Sequence, residues 1–159
     1  MRKIAIFPGS YEPITIGHVD IVKRALPLFD ELIIAIGVNT QKKYLFSLNQ
    51  RVEWLQKVFA NEPKVTVDTY EGLTVHYCIE KKANYIIRGI RSASDFDYEK
   101  TIAHLNLTMA PGLETLLILS KPELSAVSST IVREIIIGNG DTSKFIPEEV
   151  DAINGERNA

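Results

Sequence analysis

Four polar clusters in this chain are of kinds that handle phosphate. The first is Phe7-Pro8-Gly9-Ser10-Tyr11-Glu12-Pro13-Ile14-Thr15-Ile16-Gly17-His18, a glycine- and proline-bearing loop that ends on a histidine. A helix N-terminus concentrates unpaired N–H groups and positive potential, so a helix opening near Thr15 suits an anion, and His18 adds a donor aimed at it. Lys42-Lys43 is the second cluster; taken alone it is a solvated charge pair. In Arg88-Gly89-Ile90-Arg91 two guanidinium groups straddle a glycine, a pattern able to clamp two phosphates while Gly89 keeps the backbone open. The fourth is Leu124-Ser125-Ala126-Val127-Ser128-Ser129-Thr130 with Arg133 beyond it. Its three successive hydroxyls either cap a helix or hold a triphosphate tail.

The remaining polar residues narrow the chemistry. Asp95, Glu99, Ile102 and Asn106 recur at four, three and four residues, which puts them on one helical face; a solvated stripe and a substrate wall fit that spacing equally well. His76 and His104 lack partners at metal-ligand spacing and are read as structural, so no protein-held metal site is expected. No GxxxxGK[ST] loop occurs, and Gly138-x-Gly140 follows a helical pattern, the wrong context for a dinucleotide fingerprint. Cys78 is the sole cysteine, which excludes an internal disulfide.

These clusters need a scaffold, and the apolar pattern supplies one. Strand-like runs fall at 3–7, 32–38, 65–70, 85–88 and 115–119. Helical patterns lie between them, at 18–29, from the Ser47-Leu48-Asn49-Gln50 capping-box candidate to about Ala60, at 73–82 and at 95–109. A further helix, capped by Ser128 or Ser129, runs to Ile137; Pro147–Ile153 reads as a last helix and Gly155–Ala159 as a frayed tail. Strands alternating with helices predict one α/β domain over residues 1–159, a doubly wound, Rossmann-like parallel sheet of five strands with helices on both faces. The runs Leu32–Ile36 and Leu116–Leu119 fit strands buried on both sides. Each phosphate-type cluster follows a strand, so all four converge on the carboxyl edge of the sheet.

Composition agrees with that scale. The 159 residues are 45% hydrophobic and 24% charged, enough for one hydrophobic core. A net charge of −2 argues against a long nucleic-acid partner, whereas small anions need only a few local cations. No apolar run reaches membrane-spanning length, and Met1-Arg2-Lys3 leads straight into a strand, so no signal peptide and a cytoplasmic location are expected.

Together the motifs resemble the phosphopantetheine adenylyltransferases, of the nucleotidyltransferase superfamily marked by an HxGH or TxGH signature. The likeness is carried by the Phe7–His18 run, by Arg88-Gly89-Ile90-Arg91-x-x-x-Asp95-Phe96-x-Tyr98-Glu99, and by Val127-Ser128-Ser129-Thr130-x-x-Arg133-Glu134, similar to the ISSTxxR motif. The resemblance implies transfer of the adenylyl group of ATP to 4′-phosphopantetheine, with Mg²⁺, in a homohexamer. It assigns Ser10 and His18 to ATP phosphates, with Tyr11 beside them, and gives His18 the transition state. Lys42 bridges the two reacting phosphates, and Arg91 meets the β- or γ-phosphate; with His18 they are the expected catalytic residues. Arg88 takes the acceptor's phosphate. Gly89, Ile90, Glu99, Leu124, Ser125, Ala126, Val127, Ser128, Ser129 and Thr130 line the ATP site, and Asn106 and Thr74 touch the pantetheine arm.

This chain departs from the family pattern at several places. Tyr11-Glu12 replaces the common Phe-Asp, Ile16 stands where asparagine is frequent, Thr74 replaces leucine or methionine, and Tyr44 stands where proline is common. A cytidylyltransferase or a nicotinamide mononucleotide adenylyltransferase is the nearest rival, disfavoured by Arg88-Gly89-x-Arg91 with Asp95 and Glu99. A tRNA synthetase shares the histidine signature, but a KMSKS-like loop is missing here. A noncatalytic adenine-nucleotide sensor has no need of His18 or Lys42. The expected nucleophile, a phosphate oxygen, is already ionised, so direct in-line displacement requires no covalent intermediate.

Overall fold

A computed structural model describes residues 1–158. Five parallel strands form one sheet in the order β3-β2-β1-β4-β5: β1 (Ile4–Gly9), β2 (Glu31–Val38), β3 (Val65–Glu71), β4 (Tyr85–Ile90) and β5 (Glu114–Leu119). The helices are α1 (Ile16–Ala25), α2 (Leu48–Val58), α3 (Thr74–Glu80), α4 (Ala93–Met109) and α5 (Ser129–Ile137). Strand alternation sends side chains to two separate cores. Ala5, Phe7, Leu32, Ile34, Ile36 and Ile87 pack against α1, α2 and α5 on one face. Ile6, Ile33, Ala35 and Ile86 pack on the other face with Val75, Tyr77 and Cys78 of α3. The doubly wound expectation holds, and every strand, cap and helix that positions the four clusters is present.

The strand order reverses between β1 and β4, and that is where the sheet opens. β1 pairs with β2 along its whole length, from Ile4–Glu31 to Gly9–Ile36, but with β4 only at Ala5–Tyr85 and Ile6–Ile86. Pro8 has no N–H to offer a ladder, so the carboxyl halves of β1 and β4 part and leave a crevice at the switch point.

Local chemistry moved several boundaries. Pro27 ends α1 early and the chain passes into a 3₁₀ turn at Leu26–Leu28. The Ser47 hydroxyl accepts from Gln50 N–H as expected, but the reciprocal half of that capping box is replaced: the Gln50 side-chain oxygen accepts from Glu156 N–H at 3.0 Å. Leu116–Leu119 is only half-buried because β5 is an edge strand, and Leu119 is exposed. Pro147–Ile153 forms turns rather than a helix; Asp151 accepts from Asn154 N–H and thereby competes with helical hydrogen bonding. The tail is not frayed over its described residues. Ser47 N–H donates to Glu156 O, Asn158 N–H donates to Leu45 O, and Phe46 bridges Arg157 in antiparallel fashion; Ala159 lies outside the described residues.

Candidate active site

The loop after β1 is shaped by side chains that tie back its carbonyl oxygens. Tyr11 Oη donates to Phe7 O at 2.7 Å, Arg88 Nη1 to Pro8 O at 2.7 Å, and Arg51 Nη1 to Ser10 O at 2.9 Å. Arg133 Nη1 donates to Glu12 O, and Ser129 Oγ to Pro13 O, both at 2.8 Å. Those bonds occupy the carbonyls of Phe7, Pro8, Ser10, Glu12 and Pro13, which removes acceptors that would repel an anion. Tyr11 holds φ +47°, a conformation that costs about 1–3 kcal/mol in a non-glycine residue and persists where the surroundings enforce it. Its buried ring provides that enforcement, lying edge-on to Phe7 and 4.9 Å from the His18 ring centroid.

His18 is the third residue of α1, and its position fixes its proton. Thr15 N–H donates to His18 Nδ1 at 3.0 Å while Thr15 Oγ1 accepts from His18 N–H, a capping box built from threonine and histidine. Nδ1 must therefore be the bare nitrogen, and Nε2 carries the hydrogen. Burial, then the charges of Arg88 and Arg91, lower the imidazole pKa to about 4, so His18 is a neutral N–H donor at physiological pH. Gly17 lets this helix start sit against the loop before α5; a Cβ there would approach Thr15 Oγ1 at 3.3 Å and the Val127 carbonyl at 3.7 Å. Two helix N-termini thus open on one place.

A polar cleft of about 270 Å³ occupies that place. Ser10, Tyr11, His18, Gly89, Arg91, Val127, Ser128 and Ser129 line it, together with Arg88. The three late hydroxyls, however, are engaged within the protein. Ser128 Oγ caps α5 by accepting from Ile131 N–H, Ser129 Oγ donates to Pro13, and Thr130 Oγ1 accepts from Arg133. What α5 offers an anion is its backbone N–H groups. Leu124, Ser125, Ala126, Thr130 and Ile90 do not line the cleft; Ser125 contributes its carbonyl, which accepts from Arg91 Nη1 at 3.2 Å.

Across Arg88 lies a second cavity of about 400 Å³, walled by α3 and α4. Glu99, Ile102 and Asn106 line it, so the helical stripe is a cavity wall rather than a solvated face; Asp95 instead accepts from Arg91 N–H. Glu99 therefore lines this cavity and meets the polar cleft through Arg88. Its carboxylate receives Arg88 Nε at 3.1 Å and Nη2 at 2.9 Å. Burial opposes the Arg88 charge, but Glu99 outweighs it and holds the guanidinium pKa above its ordinary value. Three of the five guanidinium N–H groups are engaged by Glu99 and Pro8, which leaves two unengaged between the chambers. Thr74 lines the cavity and pairs with Tyr70 through their hydroxyls at 2.7 Å.

Lys42 borders neither chamber. It sits on the exposed loop after β2, its amine 5.5 Å from the Tyr44 ring centroid. His76 and His104 are solvent-exposed. Sequence reasoning missed Tyr70, and it singled out Arg133 by its motif without the carbonyl tie that it makes. It missed Arg51 altogether, which looks like an ordinary charge on an amphipathic helix and is marked only by its burial, at 4% exposed.

Comparison with known proteins agrees with this geometry. Residues 6–135 match the family model described as cytidylyltransferase-like. The phosphopantetheine adenylyltransferase of Flavobacterium psychrophilum is 51% identical over 94% of this chain and 98% of the relative. The chain belongs to the phosphopantetheine adenylyltransferase family. Enzymes of that name in Phocaeicola vulgatus and Leptospira biflexa are 49% and 47% identical, each over at least 93% of this chain and 94% of the relative. The phosphopantetheine adenylyltransferase motifs in this chain are the ones that border the two chambers around Arg88.

Proposed function

We propose that this protein transfers the adenylyl group of ATP to 4′-phosphopantetheine, releasing pyrophosphate and forming dephospho-coenzyme A, the penultimate step of coenzyme A synthesis. One observation carries this reading beyond family membership: a polar cleft that holds His18, Arg91 and two helix starts and an apolar cavity meet at a single arginine, as a polyphosphate and a phosphorylated apolar arm would require. The nucleophile is an oxygen of the acceptor's phosphate. It attacks the α-phosphorus of ATP in line, and the bond to the bridging oxygen of pyrophosphate breaks, with no covalent enzyme intermediate.

The obstacle is anion–anion repulsion and the charge that develops on the α-phosphate and on pyrophosphate, so positioned donors are the required catalysts. In this reading His18 donates from Nε2 as a neutral imidazole, and Ser10 and Arg91 meet phosphate oxygens. Arg88 uses its two unengaged N–H groups on the acceptor's phosphate. Lys42 swings off Tyr44 to bridge the two reacting phosphates. Ile102, Asn106 and the Tyr70–Thr74 pair receive the pantetheine arm. Among the described residues no cluster of three or more His, Cys, Asp or Glu side chains is placed to hold a metal, and Mg²⁺ enters as the Mg·ATP substrate. Residues 1–159 act as one domain, in the cytoplasm, in a homohexamer. Exposed Phe96 and Leu107 on α4, outside the apolar cavity, support self-association, and light scattering on the purified protein reads the copy number.

The test is a turnover assay with Mg·ATP and 4′-phosphopantetheine that detects both dephospho-coenzyme A and pyrophosphate. Stoichiometric formation of the two is the expected outcome. ATP binding without product, or equal use of CTP, overturns the assignment.

A further inference from the structure

Lys42 is the one expected catalytic group that lies outside both chambers, and two buried charges hold the segment that carries it. Glu12 is 3% exposed and Arg51 is 4% exposed. Each is committed to the backbone of the other's segment. Glu12 Oε1, from the phosphate loop after β1, accepts from Phe46 N–H at 2.9 Å, beyond the lysine loop. Arg51, from α2, reaches back to donate to Ser10 O at 2.9 Å in the phosphate loop. Its guanidinium also lies 4.2 Å from the Tyr44 ring centroid, and the Lys42 amine lies 5.5 Å from that same ring. The Glu12 carboxylate, then Tyr44, oppose the lowering of the Arg51 pKa that burial alone produces.

We propose that Glu12, Arg51 and Tyr44 form a reciprocal clamp that sets the register of the Lys42 loop against the phosphate loop. The proposal rests on the adenylyl-transfer reading and names positioning residues for that reaction. Burying two charges costs several kcal/mol each unless their hydrogen bonds are well made, so a pair that cross-links two loops does more than fill space. Asn39 to Lys43 are exposed, and Tyr44 is the first half-buried residue after them. Two residues extend at most about 7 Å, so the Tyr44 anchor limits where the Lys42 backbone can travel, and the side chain supplies the remaining reach. The clamp joins the carboxyl ends of the neighbouring strands β1 and β2, which keeps that reach directed at Ser10 and His18.

The test uses the full-length protein and compares Tyr44→Ala, Arg51→Met and Glu12→Gln, each alone and in a Lys42→Ala background, with kcat and the Michaelis constants read at saturating co-substrate. Tyr44→Ala removes only a half-buried ring and retains the fold, which near-UV circular dichroism checks. Expected losses in kcat are about 3–10-fold for Tyr44→Ala and about 10–100-fold for Arg51→Met; in the Lys42→Ala background the Tyr44→Ala loss shrinks to less than about 2-fold because that ring acts through the lysine, and the Arg51→Met loss shrinks to the part that comes from releasing Ser10 O. Arg51→Lys, which keeps the charge but loses the fork and the planar stack, does not restore turnover. Losses that multiply fully with Lys42→Ala, or a Tyr44→Ala enzyme with unchanged kcat, overturn the proposal. Failure of the adenylyl-transfer reading shows separately, as a wild-type protein that forms no dephospho-coenzyme A.

Discussion

The two chambers recognise by different means. In the polar cleft the main chain does much of the work: carbonyls of the Phe7–Pro13 loop are tied off, two helix starts face inward, and His18 is locked by Thr15. In the apolar cavity the walls are side chains from α3 and α4, with few polar points: Glu99, Asn106 and the Tyr70–Thr74 pair. Backbone recognition of phosphate demands particular residues at particular spacings, whereas a helix face tolerates many apolar combinations. The cleft is therefore written as motifs, and the cavity as a diffuse pattern.

That contrast is open to direct attack. The largest effect belongs to the cleft. His18→Ala removes one donor aimed at developing charge, for an expected loss of about 10²–10³-fold in kcat with ATP affinity retained. Turnover near wild type at saturating substrates detaches His18 from the chemistry. Arg88→Lys probes the wall between the chambers; losing the fork that spans Glu99 and Pro8 raises the acceptor's Michaelis constant by about 10-fold or more. An equal rise for ATP alone places Arg88 with the nucleotide instead.

The smallest signal is a titration. The folded imidazole of His18 has its pKa lowered to about 4, against about 6.5 for the unfolded chain, so the unfolded chain binds the proton first as pH falls. Stability falls from pH 6.5 towards 4, by up to about 3 kcal/mol at 1.36 kcal/mol per pKa unit. NMR of the free protein shows a ring that stays neutral through pH 6, and His18→Gln flattens that part of the stability profile. A His18 ring titrating near 6.5 contradicts the neutral donor.

The same contrast explains what could be read before any coordinates. Sheet, strands and helix order were legible because Leu32–Ile36 and the amphipathic α1 carry strong periodicity. Ser10, His18, Arg88 and Arg91 were legible because their motifs encode backbone geometry. For the hydroxyls of Ser128, Ser129 and Thr130 capping and phosphate contact both fitted the sequence, and only their partners in the fold show the capping and loop-tying bonds they make. Glu99 was recognised as a site residue but its pairing with Arg88 was not, because that depends on how α4 lies across β4. Arg51 was invisible; its meaning comes from Ser10, 41 positions away. The tail was misjudged for a similar reason: its polar residues pair with Leu45–Ser47, a contact no local pattern announces.

Arg88 borders both chambers, so on the adenylyl-transfer reading an occupant of one is expected to change the affinity of the other. Thermodynamic linkage makes that influence symmetrical: whatever factor an acceptor analogue contributes to nucleotide affinity, the nucleotide returns to the analogue. Dissociation constants measured one ligand at a time are then expected to differ from those of the ternary state. An inhibitor screened against the apolar side belongs in an assay that already contains nucleotide.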